Sequence, residues 1–395
     1  MTYPYAQRIQ QLQEINAPVL AYLTRSSYPE LVDKPGVCDF ALGNPQEMPL
    51  PGFSEALQKH ITPQNKNWFA YKDSEPKAQA AAAAALRERR GVPFQNKDIM
   101  MTNGAFTGLA ITLTAAIDPG DEVIFISPPW FFYESQITAA GGQPVRVKCD
   151  PDTFDLDVNA IREAVTPRTR AVIVNSPNNP TGKIYPESTL QELGSLLSEA
   201  GEDRQRPIAL ISDEAYCRIV YEGREYPSPT EFYPHSFLVY TYGKTLLTPG
   251  QRLGYVALPP DMPDRGHWRQ ALFTAQLMTG YAFPNALLQH ALQDLEQLSI
   301  DVAHLQEKRD RLVRALRDMG YQLHIPEGTF YLLVRSPLDD DRAFVERLAE
   351  KDILCLPGSV AECPGYFRIS LTASDEMIER ALPGFADALQ ESAGQ

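Results

Sequence analysis

Between residues 98 and 260 the chain alternates short, almost wholly apolar runs with stretches of helical spacing. No other feature narrows its fold as much. The segments 98–102, 121–126, 144–148, 170–175, 207–212, 236–240 and 255–258 read as strands. The segments 104–116 and 186–199 read as helices between them. A strand that is apolar on both faces must be covered on both. The pattern therefore predicts an α/β fold with a parallel or mostly parallel sheet between helical layers. Ligands of such sheets gather outside the carboxyl ends of the strands, so the residues that follow each run carry the functional expectations.

The flanks differ. Residues 5–25 show helical spacing interrupted at Pro18, and a Gly/Pro-rich extended segment runs from Phe40 to Pro51. Helices are expected near 52–60 and 75–90, the second closed by Gly91. After the Pro/Gly-rich patch at 258–266 comes a long helical region through Leu316. Strands near 321–325 and 329–335, a helix near 341–350 and a strand at 366–371 follow it. At 395 residues the chain exceeds one ordinary core. We expect a large domain over 49–284 and a smaller α+β domain built from 1–48 and 285–395.

Composition removes several function classes. Thirty-six Lys and Arg face 50 Asp and Glu, a formal charge of −14, and no basic run points to nucleic acid or an anionic membrane. No apolar run approaches the roughly 20 residues of a membrane span, and the N-terminus shows no apolar signal segment. The cysteines at 38, 149, 217, 355 and 363 are scattered, with no CxxC pair. They suggest a reducing compartment and no zinc site. The expectation is a cytoplasmic protein without a metal.

The chemistry concentrates in Thr241-Tyr-Gly-Lys-Thr-Leu-Leu-Thr-Pro-Gly-Gln-Arg-Leu-Gly-Tyr255. Lys244 directly follows a buried strand at a glycine, and Arg252 sits in a turn begun by Pro249-Gly250. An amine and a guanidinium fixed on one turn-punctuated segment suit a carbonyl cofactor that bears a phosphate. The amine forms a Schiff base with it and the guanidinium clamps the phosphate. Other strand ends add Ser212-Asp213-Glu214-Ala215-Tyr216 and Pro177-Asn178-Asn179-Pro180-Thr181-Gly182. Asp213 can be a helix cap or the partner of a buried cation. Thr102-Asn103-Gly104-Ala105-Phe106-Thr107 opens a helix whose free N–H groups make an anion site.

Taken in order, these loops, with Ser127-Pro128-Pro129-Trp130 among them, make the chain resemble the class I/II aminotransferases of the fold-type I pyridoxal-phosphate enzymes. The resemblance runs from Leu42-Gly43 to the strand at 367–369. It implies pyridoxal 5'-phosphate as cofactor, with an amino acid and a 2-oxo acid as substrates. Lys244 would hold the cofactor and move the substrate's Cα proton. Asp213 would face the pyridine nitrogen and keep it protonated. Asn179 and Tyr216 would bond the ring oxygen, and Trp130 would stack on the ring. Arg252, the Thr241 hydroxyl and the N–H groups of Ala105 and Phe106 would take the phosphate. Tyr71 would reach a neighbouring subunit's phosphate, which implies a homodimer. Arg368 would bind the substrate carboxylate as a fork, helped by the Gly43 backbone and Asn179.

Some positions depart from that pattern. Gly243 stands where relatives often have a serine, Phe106 where the residue is often polar, and Pro76 where glycine is usual. Residues 276–284 lack the second arginine that dicarboxylate-specific relatives carry. Met278, Tyr281 and Phe283 there suggest a pocket for a neutral or aromatic side chain. The motifs leave open a lyase performing β-elimination or ring closure, since it begins with the same Cα proton loss. A ligand sensor is disfavoured by Lys244, and a Rossmann dehydrogenase by the lack of GxGxxG after any strand.

Overall fold

A computed structural model describes residues 4–202 and 206–392. Its centre is a seven-stranded sheet in the order Ile99–Thr102, Gly254–Ala257, Ser236–Thr241, Ala209–Asp213, Thr169–Asn175, Glu122–Ser127, Gln143–Lys148. Only Gly254–Ala257 runs antiparallel, against both of its neighbours. Alternate residues feed opposite layers. Val123, Phe125, Ile173, Ile211 and Val239 pack under the helix Ala105–Ala116, while Ile124, Ile126, Val172, Val174 and Leu210 pack under Glu187–Gly201. The apolar runs are thus covered on both faces, as their composition requires.

Register places the strand ends side by side. Asn175 pairs with Asp213, Asp213 with Val239, and Thr241 with Gly254, which also pairs with Thr102. One edge of the sheet therefore carries the groups singled out from the sequence.

A second core forms around an antiparallel sheet ordered Leu356–Pro357, Tyr366–Ser370, Tyr331–Arg335, Leu323–His324. The N-terminal segment joins it. Cys38–Asp39 pairs in parallel with Ile353–Leu354, and Tyr22 and Phe40 pack with Phe344, Phe367 and Phe385.

Three local readings change. The long helical region is three helices, Arg265–Met278, Ala286–Leu295 and Val302–Met319, the last two capped by the side chains of Asn285 and Asp301. Ala286–Leu295 buries Leu288, Ala291, Leu292 and Leu295 against Phe53, Ala82 and Leu86, within the core beneath the large sheet. The N-terminal stretch is also two helices, Gln7–Ile15 and Ala17–Arg25. Pro18 lies in the first turn of the second, where its missing N–H costs nothing, so it starts a helix instead of ending one. Two short helices, Tyr133–Ala139 and Val158–Ala164, were not read from the sequence. Seven residues hold too little periodicity to register.

Candidate active site

A cavity of ≈160 Å³ opens at the carboxyl ends of the central strands and is closed by residues of the antiparallel sheet. Ala105, Phe106, Trp130, Asn179, Asp213, Tyr216, Thr241, Lys244, Arg252 and Arg368 all line it. Tyr71 and Gly43 do not. Tyr71 is 94% exposed, and Gly43 lies behind Tyr331.

Asp213 is the only acidic residue in the lining. Its Oδ2 accepts a hydrogen bond from the Tyr133 hydroxyl at 2.6 Å, and its Oδ1 accepts the Ala215 N–H at 3.2 Å. The Asn175 amide fixes its backbone by donating to the Asp213 carbonyl at 2.9 Å. Burial pushes the carboxyl up to about 6, opposed by the Tyr133 bond, the Ala215 N–H and the charge of Lys244. Among the described residues no cation pairs with it, so it keeps acceptor capacity toward the cavity.

Lys244 extends from the short helix Tyr242–Thr245, whose first turn is capped by the Thr241 hydroxyl. Its Nζ lies 5.4 Å from the centre of the Tyr216 ring and 5.5 Å from that of Phe330. The Thr241 Oγ1 accepts the Gly243 N–H at 3.3 Å and donates to the Leu253 carbonyl at 3.2 Å. A Cβ on Gly243 would lie 3.0 Å from the Pro249 Cα, which accounts for the missing serine hydroxyl: the turn that presents Arg252 fills that space. Arg252 donates to the Pro249 carbonyl at 2.9 Å and lies across Gly104, where any Cβ would fall 3.0 Å from its guanidinium. Gly104 is therefore required both for its positive φ, +84°, and for that close approach. Burial holds the Arg252 pKa below its usual value.

Arg368 enters from the other sheet. Phe367 and Ile369 point into the small core, so strand alternation turns Arg368 toward the cavity, where it is 2% exposed. Its Nη1 donates to the Asn179 Oδ1 and its Nη2 to the Ala41 carbonyl, both at 2.8 Å. The Tyr331 ring lies 3.9 Å beneath the guanidinium, and Nε has no partner.

Sequence reasoning missed Tyr133, Tyr331, Asn175, Leu42 and Phe131. Tyr133 had one signal, its place three residues after Trp130 in an aromatic run. Tyr331 is found only through the pairing of two distant strands. Met278, Tyr281 and Phe283 do not line the cavity of this chain: Met278, at the end of the helix Arg265–Met278, and Tyr281 are exposed, and Phe283 is half-buried. Phe283 lies 6.2 Å from Tyr71. The apolar lining comes from Leu42, Phe106, Leu109, Trp130 and Phe131 instead.

The fold is shared with solved transaminases. A *Eubacterium rectale* amino transferase matches 98% of this chain and 96% of its own, with a TM-score of 0.86 and 32% identity. An aspartate aminotransferase of *Thermotoga maritima* matches with a TM-score of 0.84 and 26% identity, over 98% and 100% of the two chains. In sequence, an aspartate/prephenate aminotransferase of *Thermus thermophilus* is 33% identical over 85% of this chain and 86% of that protein. The family described as "Aminotransferase class I and II" matches residues 35–385, and the chain belongs to it. It is a pyridoxal-phosphate-dependent enzyme that transfers an amino group from an amino acid to a 2-oxo acid.

Proposed function

We propose that this aminotransferase acts on amino acids with neutral or aromatic side chains. One observation carries the reading. The cavity holds three cations, Lys244, Arg252 and Arg368, and among the described residues no acidic side chain pairs with any of them. The cofactor's carbonyl and phosphate and the substrate's carboxylate would engage all three, which leaves no cation among the described lining residues for a second carboxylate. The remaining walls are aromatic and aliphatic.

The donor set fits pyridoxal phosphate. Lys244 offers an amine with no acidic partner. Arg252 and the start of the helix Ala105–Ala116 offer a cation and free N–H groups to a phosphate. Asp213 offers a buried carboxylate to the pyridine nitrogen. Bound there, the cofactor supplies an electron sink that stabilises negative charge at the substrate's Cα. The chain's own residues do the rest. Arg368 and Asn179 orient the carboxylate, Lys244 takes and returns the Cα proton, and the aromatic wall of Phe106, Trp130 and Phe131 excludes water.

The names of the relatives favour a second reading, in which aspartate is one of the donors. A panel of single amino acids, given without acceptor to the cofactor-loaded protein, separates the two. Equal amounts of oxo acid and aminated cofactor should form fastest with aromatic or large neutral donors. Fastest conversion with aspartate or glutamate would overturn the first reading.

We also infer a homodimer with shared sites, from the exposed Tyr71 beside Phe283 and the exposed Phe69 and Met278. The two-core layout supports a large cofactor domain and a small one. The five free, scattered cysteines support a cytoplasmic location. No helix among the described residues is long and apolar enough to cross a membrane. Sedimentation of the native enzyme as a monomer, or its recovery outside the cytosolic fraction, would contradict these two assignments.

A further inference from the structure

Tyr331 touches several separate parts of the site. Its ring supports Arg368, with 3.9 Å from guanidinium carbon to ring centre. Its hydroxyl donates to the Leu42 carbonyl at 3.4 Å and accepts from the Tyr216 hydroxyl. The two tyrosine rings lie 6.0 Å apart at 72°. Space for that hydroxyl exists only because residue 43 is glycine. At its φ of +74° a Cβ would fall 2.5 Å from the Tyr331 oxygen. The backbone around Leu42-Gly43, the carboxylate fork and the lysine side of the cavity therefore converge on one phenol.

We propose that Tyr331 is a positioning residue for the transamination. Its ring is the platform that keeps Arg368 flat and correctly aimed without an acidic partner, and its hydroxyl ties that platform to Tyr216 and to the Leu42 backbone.

The chemistry of Arg368 explains the need. A buried guanidinium paired with a carboxylate would be well held but no longer free for substrate. One held by an amide oxygen, a carbonyl and a π face keeps its charge available. Tyr331 supplies the π face. On the hydroxyl side, burial acts to raise the phenol's pKa. The charges of Arg368 and Lys244 and the bond with Tyr216 nonetheless bring it below the usual value. Removing the Tyr331 oxygen frees the Tyr216 hydroxyl to donate toward the cofactor's ring oxygen, which favours the deprotonated form of the bound cofactor.

The inference rests on Arg368 as the carboxylate fork, and Arg368→Ala tests that separately. The probe is 3-phenylpropionate, an amine-free carboxylate, titrated into cofactor-loaded enzyme by quenching of tryptophan fluorescence. The second readout is the pH midpoint of the bound cofactor's visible absorbance. Tyr331→Leu should weaken the probe about tenfold or more, the loss of a desolvated cation–π contact. Tyr331→Phe keeps the ring, so it should bind the probe nearly as wild type. It should also lower the pH midpoint by about half a unit or more, equivalent to the loss of one hydrogen bond. If Tyr331→Leu folds poorly, the midpoint of Tyr331→Phe still decides the hydroxyl's role. Wild-type probe affinity in Tyr331→Leu, or an unmoved midpoint in Tyr331→Phe, overturns the proposal. Unchanged probe binding in Arg368→Ala overturns the carboxylate assignment beneath it.

Discussion

Arg90 and Arg218 on one side and Arg368 on the other are all largely removed from water, and the chain treats them in opposite ways. Behind the Lys244 strand, Arg218 makes two hydrogen bonds to Glu296, at 2.9 and 3.1 Å, and lies over the Tyr240 ring. Glu296 also accepts the Tyr242 hydroxyl. Arg90 pairs with Glu214, which further accepts from Ser212 and Ser228. On the cavity side Arg368 is just as buried and meets only neutral groups. Removing a guanidinium from water is costly unless an anion goes with it. Where the fold supplies the anion, the arginine is structural. Where it withholds the anion, the charge is left free, and on the proposed reading the substrate's carboxylate supplies the anion.

That contrast can be broken by mutation, and the largest effect should fall on the cavity side. Arg368→Ala should lower kcat/KM for the amino acid about 100- to 1,000-fold, as expected for losing one partner of a buried charge pair. Its unfolding free energy in denaturant should stay the same or rise, since no protein anion is left behind. Glu296→Ala should do the reverse and lose about 3–5 kcal/mol of stability, because Arg218 stays buried without its acid. Equal stability losses in the two variants would erase the distinction.

A smaller effect sharpens the comparison at Asp213, the cavity's one acid. Its pKa is raised from 3.8 to about 6, so its contribution to the stability of the cofactor-free protein is full below about 3.8 and is lost as pH rises through about 6. Tyr133→Phe removes a bond that favours the ionised form. The upper end of that window should then move up by about half to one unit. The check is the pH dependence of thermal unfolding without cofactor. A window that stayed in place would mean the Tyr133 bond does not tune this carboxyl.

What the sequence made legible followed from local rules. Apolar runs predicted the sheet, the carboxyl-end rule pointed to Asp213 and Lys244, and alternation around Arg368 turned it inward. What stayed hidden depended on register between distant segments. Tyr331 lies beneath Arg368 because their strands pair with Leu333 opposite Arg368, and no local pattern carries that offset. The helix Ala286–Leu295 read as part of the C-terminal segment, yet its apolar face is buried against helices more than 200 positions earlier. Met278, Tyr281 and Phe283 suggested a pocket by composition alone, yet Met278 and Tyr281 are exposed and Phe283 is half-buried beside Tyr71, away from the cavity.

The central claim is that the cavity's acid-free cations seat the cofactor and that Lys244 is its attachment point. Borohydride reduction of the loaded enzyme, followed by peptide mapping, tests this most directly. The account predicts the cofactor's mass on the peptide containing Lys244, and none in Lys244→Ala. A label on another lysine, or unchanged labelling in the variant, would contradict it.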